Sequence, residues 1–235
     1  MKVLGIDTST PAGSIALIDD EEIIFEYNYQ GKLEHSAWLM PTIDKLLKDA
    51  DISCQDIDGI AISFGPGSFT GLRIGISTVK GLAQGLRIPV IGVSTLDSLA
   101  CNLPYTEKII CPVLDAKKKE VYTALYRGQT LNVECNAFYI QGLTPLERLT
   151  DYLVISPQRL IEIISKPTIF LGSGLKSYLK QIMQSLKDKE VYFAHSSLWL
   201  PRASNLALLG LKNLKRGKQE DIYSFTPLYL RKAPV

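Results

Sequence analysis

The chain has few cysteines, two histidines and no long apolar run, and each shortage excludes a class of protein. Its 235 residues include four cysteines without a CxxC pair, which excludes a disulfide scaffold and the usual zinc motifs. His35 and His195 are 160 positions apart and form no HxxxH or HExxH pair. The apolar run before Asp7 is too short for a signal peptide or a membrane span. We therefore expect a cytoplasmic protein with reduced, mostly buried thiols, no metal site and no membrane partner.

Composition and charge describe an ordinary globular protein. Hydrophobic residues make up 46% and charged residues 21%, which argues against disorder, and the length allows one large domain or two small ones. A net charge of +2 is too small to indicate a nucleic-acid surface on its own. Two local basic clusters, at 117–119 and 212–218, have a solvated face as their default interpretation.

The segment GPGSFTGLRIG, residues 65–75, follows an apolar run at 59–64 that is typical of a buried parallel strand. Gly65, Pro66 and Gly67 break the strand, and Thr70 is predicted to cap a helix that follows. A glycine turn entering a helix N-terminus offers N–H donors and the positive end of the helix dipole, which suits a phosphate. Neither GxGxxG nor GK[ST] is completed, so a tight structural turn stays open as the alternative.

The helix predicted over 70–86 contains four glycines, each costing about 1 kcal/mol relative to alanine in a helix. Its apolar residues share one face that suits packing on a sheet. A neighbouring face is nearly free of large side chains, and it would let another backbone approach closely. That face consists of Gly71, Gly75, Thr78, Leu82 and Gly85. A contact within the chain and a subunit interface both remain open.

The spacing of elements indicates an internal duplication. The strand 3–6 ends at Asp7, 58 positions before Gly65, and the strand 110–114 ends at Asp115, 57 positions before Gly172. In the first half we predict strands at 14–18 and 23–29, helix 36–50, strand 89–93 and a helix from 94. In the second half we predict strands at 120–126, 131–140 and 168–171, and helices at 145–153, 158–165 and 175–186.

This order of elements resembles the superfamily of actin, hexokinase and the heat-shock chaperone ATPases. The resemblance implies an α/β fold of two duplicated ribonuclease-H-like lobes with mixed sheets, an N-terminal lobe at 1–106 with a dimerisation helix and a smaller C-terminal lobe at 107–235. Asp7 and Asp115 would face each other across a nucleotide cleft. The residues expected to bind nucleotide are Asp7, Thr8, Ser9, Gly65 and Gly67.

Four motifs carry a closer resemblance: GIDTST at 5–10, GPGSFTGLRIG at 65–75, LDAKKKEVY at 114–122 and YLR at 229–231. With these motifs the chain is similar to the TsaB (YeaZ) family over essentially its whole length. The resemblance implies a subunit of the bacterial complex that forms N6-threonylcarbamoyladenosine at position 37 of tRNAs reading ANN codons. Its implied partners are a TsaD-like catalytic paralogue and a TsaE-like ATPase, with a homodimer when alone, tRNA only through the complex, and ATP or ADP with Mg²⁺ at a complex interface.

One departure from the catalytic paralogue bears on activity. TsaD-like proteins carry an HxxxH metal pair after the last strand of the first lobe, where this chain has Thr95 and Leu99. Leucine offers no lone pair to a metal, so we expect no catalytic residue and no transferase activity in this chain alone. The partner interface is expected at Trp38, Met40, Gly71, Gly75, Thr78 and Leu82. An independent ATPase or small-molecule kinase of the same superfamily is the alternative.

Overall fold

A computed structural model describes residues 1–31, 34–128 and 146–231. The chain divides into two compact units, Met1–Ser98 with Pro201–Tyr229 and Leu99–Leu200 with Leu230–Val235. This differs from the predicted boundary at residue 106, because the segment Pro201–Tyr229 returns to the first unit instead of staying with the second. None of the helices in the described ranges combines the length and apolar character needed to cross a membrane.

The first unit is built on a five-stranded mixed sheet of order β3-β2-β1-β4-β5. The strands β1, β2 and β3 form an antiparallel meander, and β4 and β5 extend the sheet from β1 in parallel. The central strands are buried along almost their whole length, as their apolar sequences predict. Their bounds are β1 Lys2–Asp7, β2 Gly13–Asp19, β3 Glu22–Tyr29, β4 Gly59–Gly65 and β5 Val90–Ser94.

Two long helices and a short one follow the predicted positions in this unit within a few residues. They are α1 His35–Asp49, α2 Phe69–Leu86 and α3 Thr95–Ala100. The apolar stripes of α1 and α2 join the inner faces of the strands in one hydrophobic core. Pro41 lies within the second turn of α1 without ending it.

A further helix of the first unit, α6 Ala203–Lys215, was not predicted, and two glycines allow its backbone to lie close to the sheet. A Cβ at Gly5 would lie 2.3 Å from the carbonyl oxygen of Ala203, and one at Gly210 would lie 2.5 Å from the Cβ of Ala61. The buried carboxylate of Glu26 on β3 accepts hydrogen bonds from Ser204 N at 3.0 Å and Ser204 Oγ at 2.7 Å. The unpredicted helix therefore fastens the segment after residue 200 to the first sheet.

The second unit repeats the strand order of the first. Its main path runs β10-β7-β6-β11-β12, with β8 pairing β6 and β9. Numbered within its own unit, this path is again 3-2-1-4-5, with an antiparallel start and two parallel additions. The duplicated ribonuclease-H-like α/β fold is therefore confirmed. The strands are β6 Ile109–Asp115, β7 Val121–Thr123, β8 Tyr126–Arg127, β9 Glu147–Arg148, β10 Leu153–Ile155, β11 Thr168–Leu171 and β12 Val191–Phe193.

The predictions for the second unit were less accurate. The helix predicted at 145–153 is wrong, since the described part of that range contains β9 and the start of β10. The strand predicted at 131–140 lies outside the described residues. The remaining helices are α4 Leu160–Ile163, shorter than predicted, and α5 Leu175–Ser185, close to its predicted range.

Among the described cysteines, Cys101 and Cys111 are buried and Cys54 is partly buried, and none of the three forms a disulfide. Burial raises the pKa of the Cys111 thiol to about 12, against a weaker lowering by its hydrogen bond with Thr123. This thiol is therefore protonated at neutral pH and serves as a small apolar side chain in the second core.

Candidate functional site

Asp7, Thr8 and Ser9 follow one another at the C-terminal end of β1, and Gly67 packs against Ser9. Asp7 Oδ1 accepts hydrogen bonds from the backbone nitrogen of Ser9 at 2.9 Å and from Ser9 Oγ at 2.7 Å. Thr8 Oγ1 donates to the carbonyl oxygen of Gly71 at 2.8 Å, which ties this loop to the first turn of α2. Asp7, Thr8 and Ser9 are all fully buried. The loop is thus a closed part of the first unit's core.

The glycine turn is fastened to the same loop. Ser68 N donates to the carbonyl oxygen of Ser9 at 2.7 Å, and a Cβ at Gly67 would lie 2.3 Å from that oxygen. Gly65 has a φ of +119°, which side chains other than glycine rarely adopt. The helix cap is Ser68, whose Oγ accepts from Gly71 N at 3.3 Å, so the prediction of Thr70 as the cap is wrong by two residues.

These contacts occupy several of the groups that were expected to hold a nucleotide phosphate. A phosphate at such a turn requires open N–H donors and room beside the glycines. Here Ser9 fills the space beside Gly67, and Ser68 N and Gly71 N are both engaged within the unit. The side chains of Thr8 and Ser9 are turned to Gly71 and Asp7. Within this unit these groups are engaged with protein atoms, so we derive no nucleotide step from the five residues, and nucleotide binding by them stays a prediction.

Asp7 carries an electrostatic cost. Its Oδ2 and the Oγ of neighbouring Ser63 are both buried without a hydrogen-bond partner. Burial raises the pKa of the Asp7 carboxyl above its usual value of 3.8, partly offset by the hydrogen bonds from Ser9. A protonated Oδ2 can donate a hydrogen bond, whereas an ionised one leaves an unpaired charge in the core.

We expect an Asp7→Asn variant to gain stability over the wild type as the pH rises. The wild-type carboxyl is protonated in the folded state above its unfolded pKa, so its contribution to stability is full near pH 3 and is lost as the pH rises through the folded pKa. Each unit of pKa shift corresponds to about 1.36 kcal/mol in the free energy of unfolding. Asparagine does not titrate, so the difference between the variants should grow with pH and then level off.

Urea unfolding at several pH values between 4 and 8 measures this difference. Asp51→Asn, at an exposed position of the same unit, is the control and should follow the wild-type pH profile. A lower stability of Asp7→Asn at every pH would mean that the native protein relies on an ionised Asp7.

Two of the glycines assigned to a partner interface instead pack within the first unit. A Cβ at Gly71 would lie 2.1 Å from the carbonyl oxygen of Thr8, and one at Gly75 would lie 2.3 Å from Thr8 Oγ1. Both glycines are buried because the loop after β1 crosses this side of α2. The expected interface role of Gly71 and Gly75 is therefore corrected to a contact within the chain.

Trp38 is also corrected, because only 4% of its surface is exposed. Its ring stacks on Tyr29 at 5.3 Å between centroids, and its Nε1 donates to His35 Nδ1 at 3.1 Å. His35 Nε2 lies 2.8 Å from the carbonyl oxygen of Thr10. The indole N–H of Trp38 only donates, so Nδ1 of His35 accepts this bond and Nε2 faces the Thr10 carbonyl oxygen. The i, i+3 spacing of His35 and Trp38 was the available signal for this pair.

Other interface candidates remain on the surface. Met40 on α1 has 45% of its surface exposed, and Thr78 and Leu82 on α2 are partly buried. Beside them on α2, Gly81 and Gly85 are exposed, and a Cβ added to either would meet nothing within 4 Å. We call Thr78, Gly81, Leu82 and Gly85 the glycine face. The predicted interface residues did not include Gly81 or Gly85, although Gly85 belonged to the small-residue face predicted on this helix.

Asp115 in the second unit differs from Asp7. It is partly exposed and accepts from Lys117 N at 2.7 Å, Lys117 Nζ at 2.9 Å and Tyr178 hydroxyl at 3.1 Å. Burial acts to raise the pKa of Asp115, but the contacts with Lys117 outweigh it and the net pKa is lowered. That Asp7 and Asp115 face each other across a cleft stays a prediction.

The two positions of the missing metal pair are both buried. Thr95 and Leu99 have none of their surface exposed. No group of three histidine, cysteine, aspartate or glutamate side chains suited to a metal occurs in residues 1–31, 34–128 and 146–231.

Comparison with known proteins identifies the family. The family model described as TsaD, tRNA N6-adenosine threonylcarbamoyltransferase, matches residues 30–235. The chain is 34% identical over 235 residues to the tRNA threonylcarbamoyladenosine biosynthesis protein TsaB of Bacillus subtilis, covering 99% of this chain and 95% of that protein. The corresponding values for TsaB of Escherichia coli are 30% over 236 residues, 98% and 95%.

Solved structures agree. The structure of YeaZ from Pseudomonas aeruginosa superposes with a TM-score of 0.78 at 29% identity, covering 97% of this chain and 99% of that one. A second structure, titled an uncharacterized protein with similarity to peptidase YEAZ from Pseudomonas aeruginosa, gives a TM-score of 0.79 at 28% identity, with coverages of 98% and 99%. The chain, which the TsaD family model also matches, belongs to the TsaB (YeaZ) family of tRNA threonylcarbamoyladenosine biosynthesis proteins.

Proposed function

We propose that the chain is a non-catalytic, dimerising subunit of the assembly that forms N6-threonylcarbamoyladenosine at position 37 of tRNAs reading ANN codons. In this role it supports a TsaD-like catalytic paralogue and has no transferase activity alone. The observation that carries the proposal is the glycine face of α2, an exposed helix surface with space for another backbone. Thr95 and Leu99, at the positions of the histidine pair, support the non-catalytic part.

The glycine face suits a helix from a partner. The separation of two packed helices depends on the side chains between them, and glycines four residues apart allow a short one. Glycine lowers helix stability, and the exposed Gly81 in the interior of α2 costs about 1 kcal/mol relative to alanine. A docking surface that requires close backbone approach offsets that cost. Met40 on α1 is a further proposed contact, being apolar and exposed.

The partners are proposals from the same family assignment. The TsaD-like paralogue is the main one, because the two protein types share the family model that matches this chain. A second copy of the chain would use the same glycine face when the paralogue is absent, in a symmetric dimer. A TsaE-like ATPase and the tRNA complete the proposed assembly, and ATP or ADP with Mg²⁺ at a complex interface stays a prediction. The alternative is an independent ATPase that uses Asp7, Thr8, Ser9, Gly65 and Gly67. We do not favour it, because the side chains of Thr8 and Ser9 are already bonded to Gly71 and Asp7.

The test is a titration of the purified chain into the TsaD-like protein of the same organism, followed by calorimetry. We expect a stoichiometric complex and tRNA modification that requires both proteins, whereas neither protein modifies tRNA alone. Mass spectrometry of tRNA from cells depleted of this chain should show loss of the modified nucleoside. Absence of a complex together with unchanged modification in depleted cells would refute the proposal, and modification by the isolated chain would refute its non-catalytic part.

A further inference from the structure

Charge is distributed unequally between the two units. Over the full sequence, the residues of the second unit include 14 lysines and arginines and nine aspartates and glutamates, a net charge of +5. Those of the first unit include 12 basic and 15 acidic residues, a net charge of −3. The chain's net charge of +2 conceals this difference. Such asymmetry is typical of chains that contact nucleic acid with one part only.

The second unit, which carries the net positive charge, contains a turn of unusual backbone conformation. We call the residues Lys117, Lys118 and Lys119 the lysine turn, which links β6 to β7. All three are exposed, with φ values of 61°, 52° and 61°, in the left-handed region that favours glycine. Three adjacent ammonium groups also repel one another. Backbone strain of this kind persists where the surroundings impose it, and it is concentrated at functional sites.

The acidic residues next to the lysine turn do not pair with Lys118 or Lys119. Asp115 pairs with Lys117, with 2.9 Å between Nζ and Oδ2, and Glu120 pairs with Arg231. No acidic side chain among the described residues is within ion-pair distance of Lys118 or Lys119. Lys118 and Lys119 therefore present positive charge to the solvent without an acidic partner.

We propose that the lysine turn is a contact surface for the phosphate backbone of tRNA. Lys118 and Lys119 each bind a phosphate oxygen, and Lys117 fixes the turn through Asp115. The choice of RNA rests on the proposed function. A lysine ammonium binds phosphate as a point charge, whereas a protein partner of comparable affinity requires apolar or aromatic anchors, which the lysine turn lacks. The chain thereby adds its own tRNA contact to those made elsewhere in the assembly.

Fluorescence anisotropy of a labelled, unmodified transcript of a tRNA that reads an ANN codon tests this contact with the full chain. We expect the double variant Lys118→Gln, Lys119→Gln to bind about tenfold more weakly at 50 mM KCl. The slope of log affinity against log salt concentration should become shallower by about 2, or about one for each lost phosphate contact. The control, Lys187→Gln with Lys189→Gln, removes the same charge from exposed residues of the same unit and should bind within about twofold of the wild type.

Three outcomes would overturn the proposal. In the first, the wild-type chain does not bind the transcript at 50 mM KCl. In the second, both double variants lose affinity equally, which would indicate diffuse attraction to the whole second unit. In the third, the lysine-turn variant binds tRNA normally but no longer associates with the TsaD-like protein, which would make the turn a protein contact. Calorimetric titration of the same variant into the TsaD-like protein separates this result from a failure of the proposed function, because the glycine face is unchanged.

Discussion

Replacing both Gly81 and Gly85 by arginine is expected to weaken binding of the TsaD-like protein by about 100-fold or more. A buried interface position costs about 2 kcal/mol or more when its fit is lost, and tenfold in affinity corresponds to about 1.4 kcal/mol. Two long charged side chains would hold a partner helix away from α2 and leave guanidinium groups without partners at the contact. Calorimetric titration of the double variant into the TsaD-like protein measures the loss.

The free chain should not suffer from these substitutions. Nothing lies within 4 Å of a Cβ at Gly81 or Gly85, and arginine is a better helix former than glycine. We therefore expect a thermal midpoint equal to or above that of the wild type. Gln181→Arg with Gln184→Arg is the matched control, because it adds two arginines at exposed positions of another helix, α5. Unchanged partner affinity in the double glycine variant, or an equal loss in the control, would show that the glycine face is not the docking surface.

The order of strands and the duplication were predictable from the sequence because they depend on local patterns. Short apolar runs ending at Asp7 and Asp115 mark the first strand of each unit, and the glycine turns mark the end of the fourth. Hydrophobic periodicity located α1, α2 and α5 to within about two residues. These signals all come from side chains that act within one element.

The contacts that each helix face makes within the folded chain could not be predicted from such local patterns. A glycine that receives a crossing loop and a glycine that faces solvent are identical in sequence, so Gly71 and Gly81 could not be told apart from helix periodicity alone. The loop residue Thr8 that covers Gly71 is 63 positions away in the chain. For the same reason the packing of residues 203–215 on the first sheet was not predicted, since the contact of Ala203 with Gly5 joins the two ends of the sequence. That nucleotide binds at Asp7, Thr8 and Ser9 stays a prediction, and the hydrogen bonds of these side chains to Gly71 and Asp7 are a property of the folded unit.

The difference between the two kinds of glycine gives the second large effect, on stability. We expect Gly71→Ala to lower the free energy of unfolding by about 2–4 kcal/mol, because the added Cβ would lie 2.1 Å from the carbonyl oxygen of Thr8. That oxygen belongs to the backbone of a buried loop and cannot turn aside as a side chain could. The loop cannot move away from α2 without breaking the hydrogen bond that Thr8 Oγ1 donates to the carbonyl oxygen of Gly71. The fall should appear as a lower midpoint in urea unfolding.

Gly81→Ala provides the matched comparison, because it makes the same chemical change in the same helix. With no atom within 4 Å of the new Cβ, only the helix propensity changes, and we expect a gain of about 1 kcal/mol. The two alanine variants should therefore move the unfolding midpoint in opposite directions. A gain in stability in both variants would mean that the loop after β1 does not cross α2 at Gly71 in solution. A loss in both would contradict the exposure of Gly81, and with it the space that a partner helix requires at the glycine face.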